Sequence, residues 1–328
     1  MHRFWLTWTV AAAILLVALP AWISRGWRSP GAEAPPRSSR ANDLPVTVYF
    51  PETGRVATMP LSEYLVGVGA GELPPSFADE AIRAVLVAAR TYTVRRMRQF
   101  GGKGCDLEPR ADICASAEYG QAYLDWPGLR EKLGEAAARR FWSRLQAAEE
   151  ATRGLILTYQ GAPIDAIYHS TSGRWTEDAQ VVWGRPVPYL RPVPDPWGQE
   201  APQYTETRTY GLQELAQALG VPAIAVPAGG GAPPIRITGR TPSGRVAGVQ
   251  VGSVTFTGVE FRSRLGLRST DFTLAWRDGQ VVITTSGYGH GVGLSQWGAN
   301  GMARRGAGFR EILAHYYPGT AVEPLFAD

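Results

Sequence analysis

The run EAIRAVLVAARTYTVRRMRQ, residues 80–99, constrains the fold more than any other stretch of this 328-residue chain. Its apolar positions run on with little interruption and predict a buried helix of about five turns. Ser76 and Asp79, just ahead, match a capping-box pattern for its start. A helix apolar on most sides must be enclosed, so the neighbouring segments are read as its wrapping. Alternation at Val46, Val48 and Phe50 predicts a strand, Glu52–Gly54 a turn, and Leu61, Tyr64, Leu65 and Val68 a helix. Residues 128–152 predict a further helix with Phe141, Trp142, Leu145 and Ala148 on its apolar side. LILTY and APIDAIYHS flank Gln160–Gly161 as a hairpin, and GLQELAQALG reads as a short amphipathic helix. Past the Gly/Pro-rich residues 226–234, the segment PIRITGRTPSGRVAGVQVGSVTFTGVEFRSRLGL alternates like antiparallel strands. DFTLAWRDGQVVITTSG predicts a hairpin about Asp278–Gly279, and GFREILAHYYPGT a helix stopped by Pro318. Helices and antiparallel strands mix without βαβ alternation or internal repeat, which predicts an α+β fold.

The N-terminus carries a second constraint. FWLTWTVAAAILLVALPAWI, residues 4–23, is uncharged and close to the length that spans a bilayer. ALPAWIS makes a poor cleavage site, because Pro20 and Trp22 interrupt it. Residues 1–24 therefore predict an uncleaved single-pass membrane anchor, residues 25–45 a flexible Pro/Ser/Ala-rich linker, and residues 46–328 one folded domain. Arg25 and Arg28 weaken the positive-inside argument, yet the domain is expected outside the cytoplasm. A net charge of +4 is far short of a nucleic-acid footprint, so no nucleic-acid partner is expected.

Several chemistries are excluded by motif. The chain has no G-x-S-x-G elbow, no H-E-x-x-H pair, no phosphate-binding loop and no dinucleotide fingerprint. What remains is a carboxylic acid working on a sugar or ester bond. Glu72 in GVGAGELPPSF is the best candidate, since an apolar setting disfavours its charged form and suits a general acid. An ordinary surface glutamate in a loop is the rival reading. Residues 286–301, SGYGHGVGLSQWGANG, pack six glycines around His290. Such density suits close approach of backbone to a sugar, or a tight structural turn in a β-rich core.

Four segments resemble one family. GELPPSFADEAIRAVLVAARTYT, YHSTSGRWTEDAQVVWGRPVPYLRPVPDPW, SGRVAGVQV with GVEFRSRLGLRST, and GYGHGVGLSQWGANGMARRGAGFREILAHYYPGT are similar to the stage II sporulation protein D (SpoIID) family and its LytB amidase-enhancer relatives. The resemblance runs from about residue 45 to the C-terminus in family order. It implies a sporulation-linked peptidoglycan lytic transglycosylase that prefers glycan strands without stem peptides, with the catalytic glutamate at Glu72. Arg90 and Tyr92 in AARTY match the family motif and are expected at the substrate, with a structural role inside the buried helix as the rival reading. His169, Ser170, Thr171 and Ser172 end a strand as a line of hydrogen-bonding groups, with a satisfied core histidine the rival for His169. His290, Ser295 and Gln296 are expected along a glycan cleft, Trp297 stacked on a sugar ring, and His315 in a structural role.

The resemblance also implies a zinc site of His and Cys ligands, from which this chain departs. In ADICASAEYGQAYLD, Cys114 is kept but Tyr119 and Gly120 replace the family's His–Cys pair. The expectation is no metal or other cofactor, and a Cys105–Cys114 disulfide suited to an oxidising exterior, with two free buried thiols as the alternative. The expected partners are peptidoglycan strands, a cell-wall amidase and membrane proteins. The main rival function is a non-catalytic glycan-binding enhancer of such an amidase.

Overall fold

The computed structural model describes residues 43–202, 204–226 and 231–326, so the expected anchor and nearly all of the expected linker lie outside the described residues. Strands β1 (Pro45–Phe50) and β2 (Arg55–Pro60) pair antiparallel in the register Pro45↔Pro60, and β2 leads directly into helix α1 (Leu61–Glu72). The axis of the structure is helix α2 (Asp79–Arg96), in which every residue from Ala84 to Val94 is buried. The expected capping box is not formed: Ala78 is the N-cap and no side chain caps the helix. Its end is held from outside instead, by Ala78 N–H donating to Asn300 Oδ1 at 2.9 Å and by the Arg144 guanidinium donating to the Phe77 carbonyl and Asp79.

Strand β3 (Ile113–Cys114) adds to β1 in parallel. The expected helix over residues 128–152 is two helices, α3 (Trp126–Leu133) and α4 (Glu135–Ala151), because Gly134 between them takes a positive φ of 77°. After β4 (Leu155–Tyr159) the chain turns at Gln160–Gly161 as expected, but the return strand β5 is only Ala162–Pro163. Proline lacks the amide that continues a ladder. The following strand, β6 (Tyr168–His169), pairs elsewhere, parallel to residues 294–295. The short helix α5 (Ala179–Trp183) is capped by Asp178.

Residues 205–286 build a second hydrophobic cluster. It comprises β7 (Thr205–Tyr210), α6 (Leu212–Leu219), β8 (Ile235–Arg240), β9 (Val246–Val251), β10 (Val254–Thr257), α7 (Gly258–Leu265), β11 (Phe272–Arg277) and β12 (Gln280–Ser286). Two antiparallel sheets, ordered β10-β9-β8 and β11-β12-β7, contribute Val249, Phe256, Phe272 and Ile283 to its core, joined by Phe261 of α7. Residues 258–265 were expected as strand, and are helix. A capping box starts them: Thr257 Oγ1 accepts from Glu260 N–H at 3.1 Å and Glu260 accepts from Thr257 N–H at 2.8 Å.

The chain then returns to the first core through β13 (Leu294–Ser295), α8 (Gln296–Arg304), α9 (Phe309–Tyr316) and β14 (Ala321–Pro324). Helices α1, α4, α8 and α9 and strand β4 enclose α2. The fold is α+β, with antiparallel pairing dominant. Among the described residues, no helix is long and apolar enough to cross a membrane.

Candidate active site

Glu72 is the last residue of α1, and the sequence shows why the helix stops there. Leu73 precedes the Pro74–Pro75 pair and is extended, at φ −111° and ψ 140°; a residue before proline is driven out of helical conformation. The carboxyl therefore sits at the negative end of a helix, not near a helix N-terminus, and that position disfavours its ionised form. Gly71 brings up its partner. A Cβ there would lie 2.7 Å from Tyr123 N and 2.8 Å from the Ala122 carbonyl carbon, so only glycine lets that backbone rest on α1. Ala122 N–H consequently donates to Glu72 Oε1 at 2.8 Å.

Gln296 Nε2, at the start of α8, donates to Glu72 Oε2 at 2.9 Å. A third donor is fixed by a buried network. The Tyr64 and Thr93 hydroxyls donate to Gln121 Oε1 at 3.3 and 2.8 Å, while Gln121 Nε2 donates to the Tyr168 hydroxyl oxygen at 2.9 Å. The Tyr168 O–H is thereby turned outward, and it hydrogen-bonds Glu72. Burial raises the Glu72 pKa above the ordinary carboxyl range, offset in part by Gln296, Ala122 and Tyr168. All three are neutral. They leave one of the carboxylate's roughly four acceptor positions for a proton.

Glu72 opens into a cleft of about 890 Å³. Tyr92, Tyr168, His169, Ser170, His290 and Gln296 line it, as do Tyr119, Trp183 and Tyr288. The last three are large and 42–55% exposed, so their ring faces are open in the cleft. His169 is nonetheless 5% exposed, with both nitrogens satisfied by Val292 O at 3.1 Å and Ser172 Oγ at 2.8 Å. His290 Nε2 donates to Tyr168 O and its Nδ1 accepts from Val292 N–H, each at 3.1 Å. Burial, then the neighbouring His290 and Arg245, keeps the His169 pKa well below its usual value. Burial and then Arg262 push His290 down to about 4. Both imidazoles are neutral at pH 7.

Other residues expected at the substrate are used by the fold. Arg90 does not reach the cleft: it is fully enclosed, paired with Glu149 at 3.2 Å, and donates to the Thr152 and Leu155 carbonyls at 2.7 and 3.1 Å. It ties α2 to the C-terminal end of α4. Ser295 caps α8, accepting from Gly298 N–H at 3.1 Å. Trp297 packs edge-on against Phe77 at 4.9 Å rather than facing a sugar. Thr171 is buried and bridges backbone to Tyr288, while Ser172 is spent on His169. His315 is structural, with Nε2 on Pro194 O at 2.8 Å. Among other carboxylates, Glu177 accepts from the Thr241 and Ser243 hydroxyls, both at 2.7 Å, Glu63 lies in the first turn of α1, and Asp165 lines the cleft beside Arg185.

Sequence reasoning missed Tyr64, Gln121, Ala122 and Tyr168, along with the aromatic faces of Tyr119, Trp183 and Tyr288. No periodicity marks a buried glutamine, but the exposed tryptophan in QVVWG was a readable signal. The residues of the family's zinc segment do not fit a metal here. Cys114 is joined to Cys105, and a side chain at Gly120 would lie 2.1 Å from the Cys114 carbonyl oxygen.

The family model described as stage II sporulation protein matches residues 49–159. The chain is 36% identical to stage II sporulation protein D of Bacillus amyloliquefaciens over 283 residues, 86% of this chain and 80% of that one. It is 35% identical to stage II sporulation protein D of Bacillus subtilis (strain 168) over 294 residues, 90% of this chain and 82% of the relative. It is 27% identical to the protein named amidase enhancer of Bacillus subtilis (strain 168), covering 79% of this chain and 40% of that protein.

Proposed function

This chain belongs to the stage II sporulation protein D family, and from that membership and the setting of Glu72 we propose that it is a lytic transglycosylase of peptidoglycan glycan strands. The observation that carries the reading is the Glu72 carboxyl in the cleft, raised in pKa by burial and held by neutral donors alone. Protonated Glu72 gives its proton to the glycosidic oxygen leaving muramic C1. The resulting carboxylate takes the proton of the same sugar's C6 hydroxyl as that oxygen closes on C1. A 1,6-anhydromuramic end forms, no water is consumed, and Glu72 returns to its acid form. An ordinary glycosidase needs a second carboxylate to supply a nucleophile or activate water. An intramolecular nucleophile of high effective molarity removes that need. Trp183 and Tyr288 offer faces for sugar rings, and neutral His169 and His290 fix the wall between them.

The proposed setting is sporulation-linked wall remodelling, with residues 4–23 as anchor, the domain outside the membrane, and denuded strands as preferred substrate. Digestion of denuded strands by the purified protein, followed by mass spectrometry, tests the activity. Anhydromuramic ends support it, and reducing ends would require a water-activating carboxylate. A second reading draws on the relative named amidase enhancer: a glycan-binding module that stimulates a cell-wall amidase without cleaving. Strand binding without any new ends, together with faster amidase turnover, would favour it.

A further inference from the structure

Three guanidinium groups line the cleft, and two are neutralised. Arg96 pairs with Asp106 at 3.4 Å and Arg185 with Asp165 at 3.6 Å. Arg262, on α7, has no carboxylate partner among the described residues. Its Nε donates to Leu267 O at 3.1 Å, which fixes the base of the guanidinium. The two terminal nitrogens carry no hydrogen bond within the described residues, and the group is only partly exposed.

The wall around it is electropositive. Arg245 lies fully buried behind, against Gly291, and none of its three guanidinium nitrogens has a hydrogen-bond partner among the described residues. The charges of Asp271 and Glu177 act on Arg245, not on Arg262. Arg262 also acts on the adjacent His290 as the strongest charge pushing that imidazole towards neutrality. A half-desolvated cation with two forked donors facing a cleft calls for a planar anion, and carboxylate is the natural match.

Glycan strands carry such a group on the sugar itself only in one state. The lactyl ether on muramic C3 ends in a carboxylate when the stem peptide is absent, and in an uncharged amide when it is present. We propose that Arg262 binds the free lactyl carboxylate of a muramic unit and so makes the cleft selective for strands without stem peptides. The proposal rests on the glycan-strand reading above and assigns that preference to one side chain. It also gives the second hydrophobic cluster a role, since α7 carries the selecting group to a cleft whose acid stands on α1.

The test uses the full protein and its Arg262→Gln and Arg262→Lys variants on three substrates. These are denuded strands, the same strands with carboxylates reduced to alcohols, and strands that keep stem peptides. Wild type should favour the carboxylate form over the alcohol form by about ten- to a hundredfold in kcat/KM, carried mainly by KM, as expected for a charge-assisted bond. In Arg262→Gln that ratio should collapse towards one, and in Arg262→Lys part of it should return. A ratio unchanged by Arg262→Gln overturns the proposal. So does equal wild-type use of denuded and peptide-bearing strands, which would show that Arg262 does not select between them. If wild type cleaves nothing, the transglycosylase reading fails alone, and the ratio is then read in strand binding. A binding preference for the carboxylate form that vanishes in Arg262→Gln supports the contact, and equal binding of both forms refutes it.

Discussion

Replacing Glu72 by Gln separates the acid proton from everything else the residue does. Oε1 accepts from Ala122 N–H at 2.8 Å and Oε2 from Gln296 Nε2 at 2.9 Å. In the variant the amide oxygen can keep the Ala122 bond, which turns the new NH₂ towards Gln296. A rotation of the Gln296 amide by a half turn presents its oxygen instead, so both contacts survive. The fold should therefore hold, and its pH dependence should change in a definite direction. Because burial raises the folded pKa, wild-type stability present below the ordinary carboxyl range is lost as pH rises through the raised value. Gln cannot ionise and escapes that loss, so the variant should melt no lower than wild type at pH 7 in scanning calorimetry. Cleavage should fall by at least about a hundredfold, the lower range for losing a general acid and equivalent to about 2.7 kcal/mol of barrier. Release of anhydromuramic products from denuded strands measures it, with strand sedimentation as the binding control. Activity within a few-fold of wild type, in a variant that still binds, would refute the role of Glu72.

The remaining predictions concern its surroundings and the chain's ends. Gln296→Ala removes a bond that lowers the Glu72 pKa, so the alkaline limb of kcat/KM should move to higher pH; an unmoved or lowered limb would contradict the geometry. Gly71→Ala puts a Cβ into the backbone of Ala122 and Tyr123, so activity should drop about tenfold or more with Glu72 intact, and wild-type turnover would show that segment to be free to shift. Replacing both Cys105 and Cys114 by Ser should destabilise by about 2–3 kcal/mol in denaturant unfolding; two reactive thiols in the unfolded, unreduced wild type would remove the bridge. With residues 4–23 as anchor, protease added to wall-less cells should digest the domain, and full protection would reverse the topology.

The sequence was most readable where burial is continuous or strictly periodic. Helix α2 announces itself because nearly every side chain from Ala81 to Val94 is apolar or neutralised inside the core. The Asp278–Gly279 turn does so because both residues adopt positive φ, at 50° and 76°. Errors arose where a local signal was overridden or passed over. Ser76 looks like a cap, but Asn300 and Arg144, far along the chain, hold the start of α2 instead. Thr257 and Glu260 did spell a capping box, and the alternation running into it from β10 masked the change of period.

The site divides along the same line. Glu72 was legible because glycines and a proline pair bracket it, yet the donors that hold its carboxyl come from positions 50 and 224 residues away. Motif polarity was a poor guide to cleft residues, since Arg90, Ser172 and Ser295 spend their hydrogen bonds inside the protein. A physical requirement sorts the two groups. A cation bonded to Glu72 would stabilise the carboxylate and cancel the effect of burial, so its contacts must be neutral, and Ala122, Gln296 and Tyr168 are. The two histidines of the cleft would break that condition if protonated. Burial lowers both of their pKa values, with Arg245 acting on each and Arg262 on His290 most strongly among the charges. Positive charge on that wall thus serves the acid by keeping imidazolium out of the cleft.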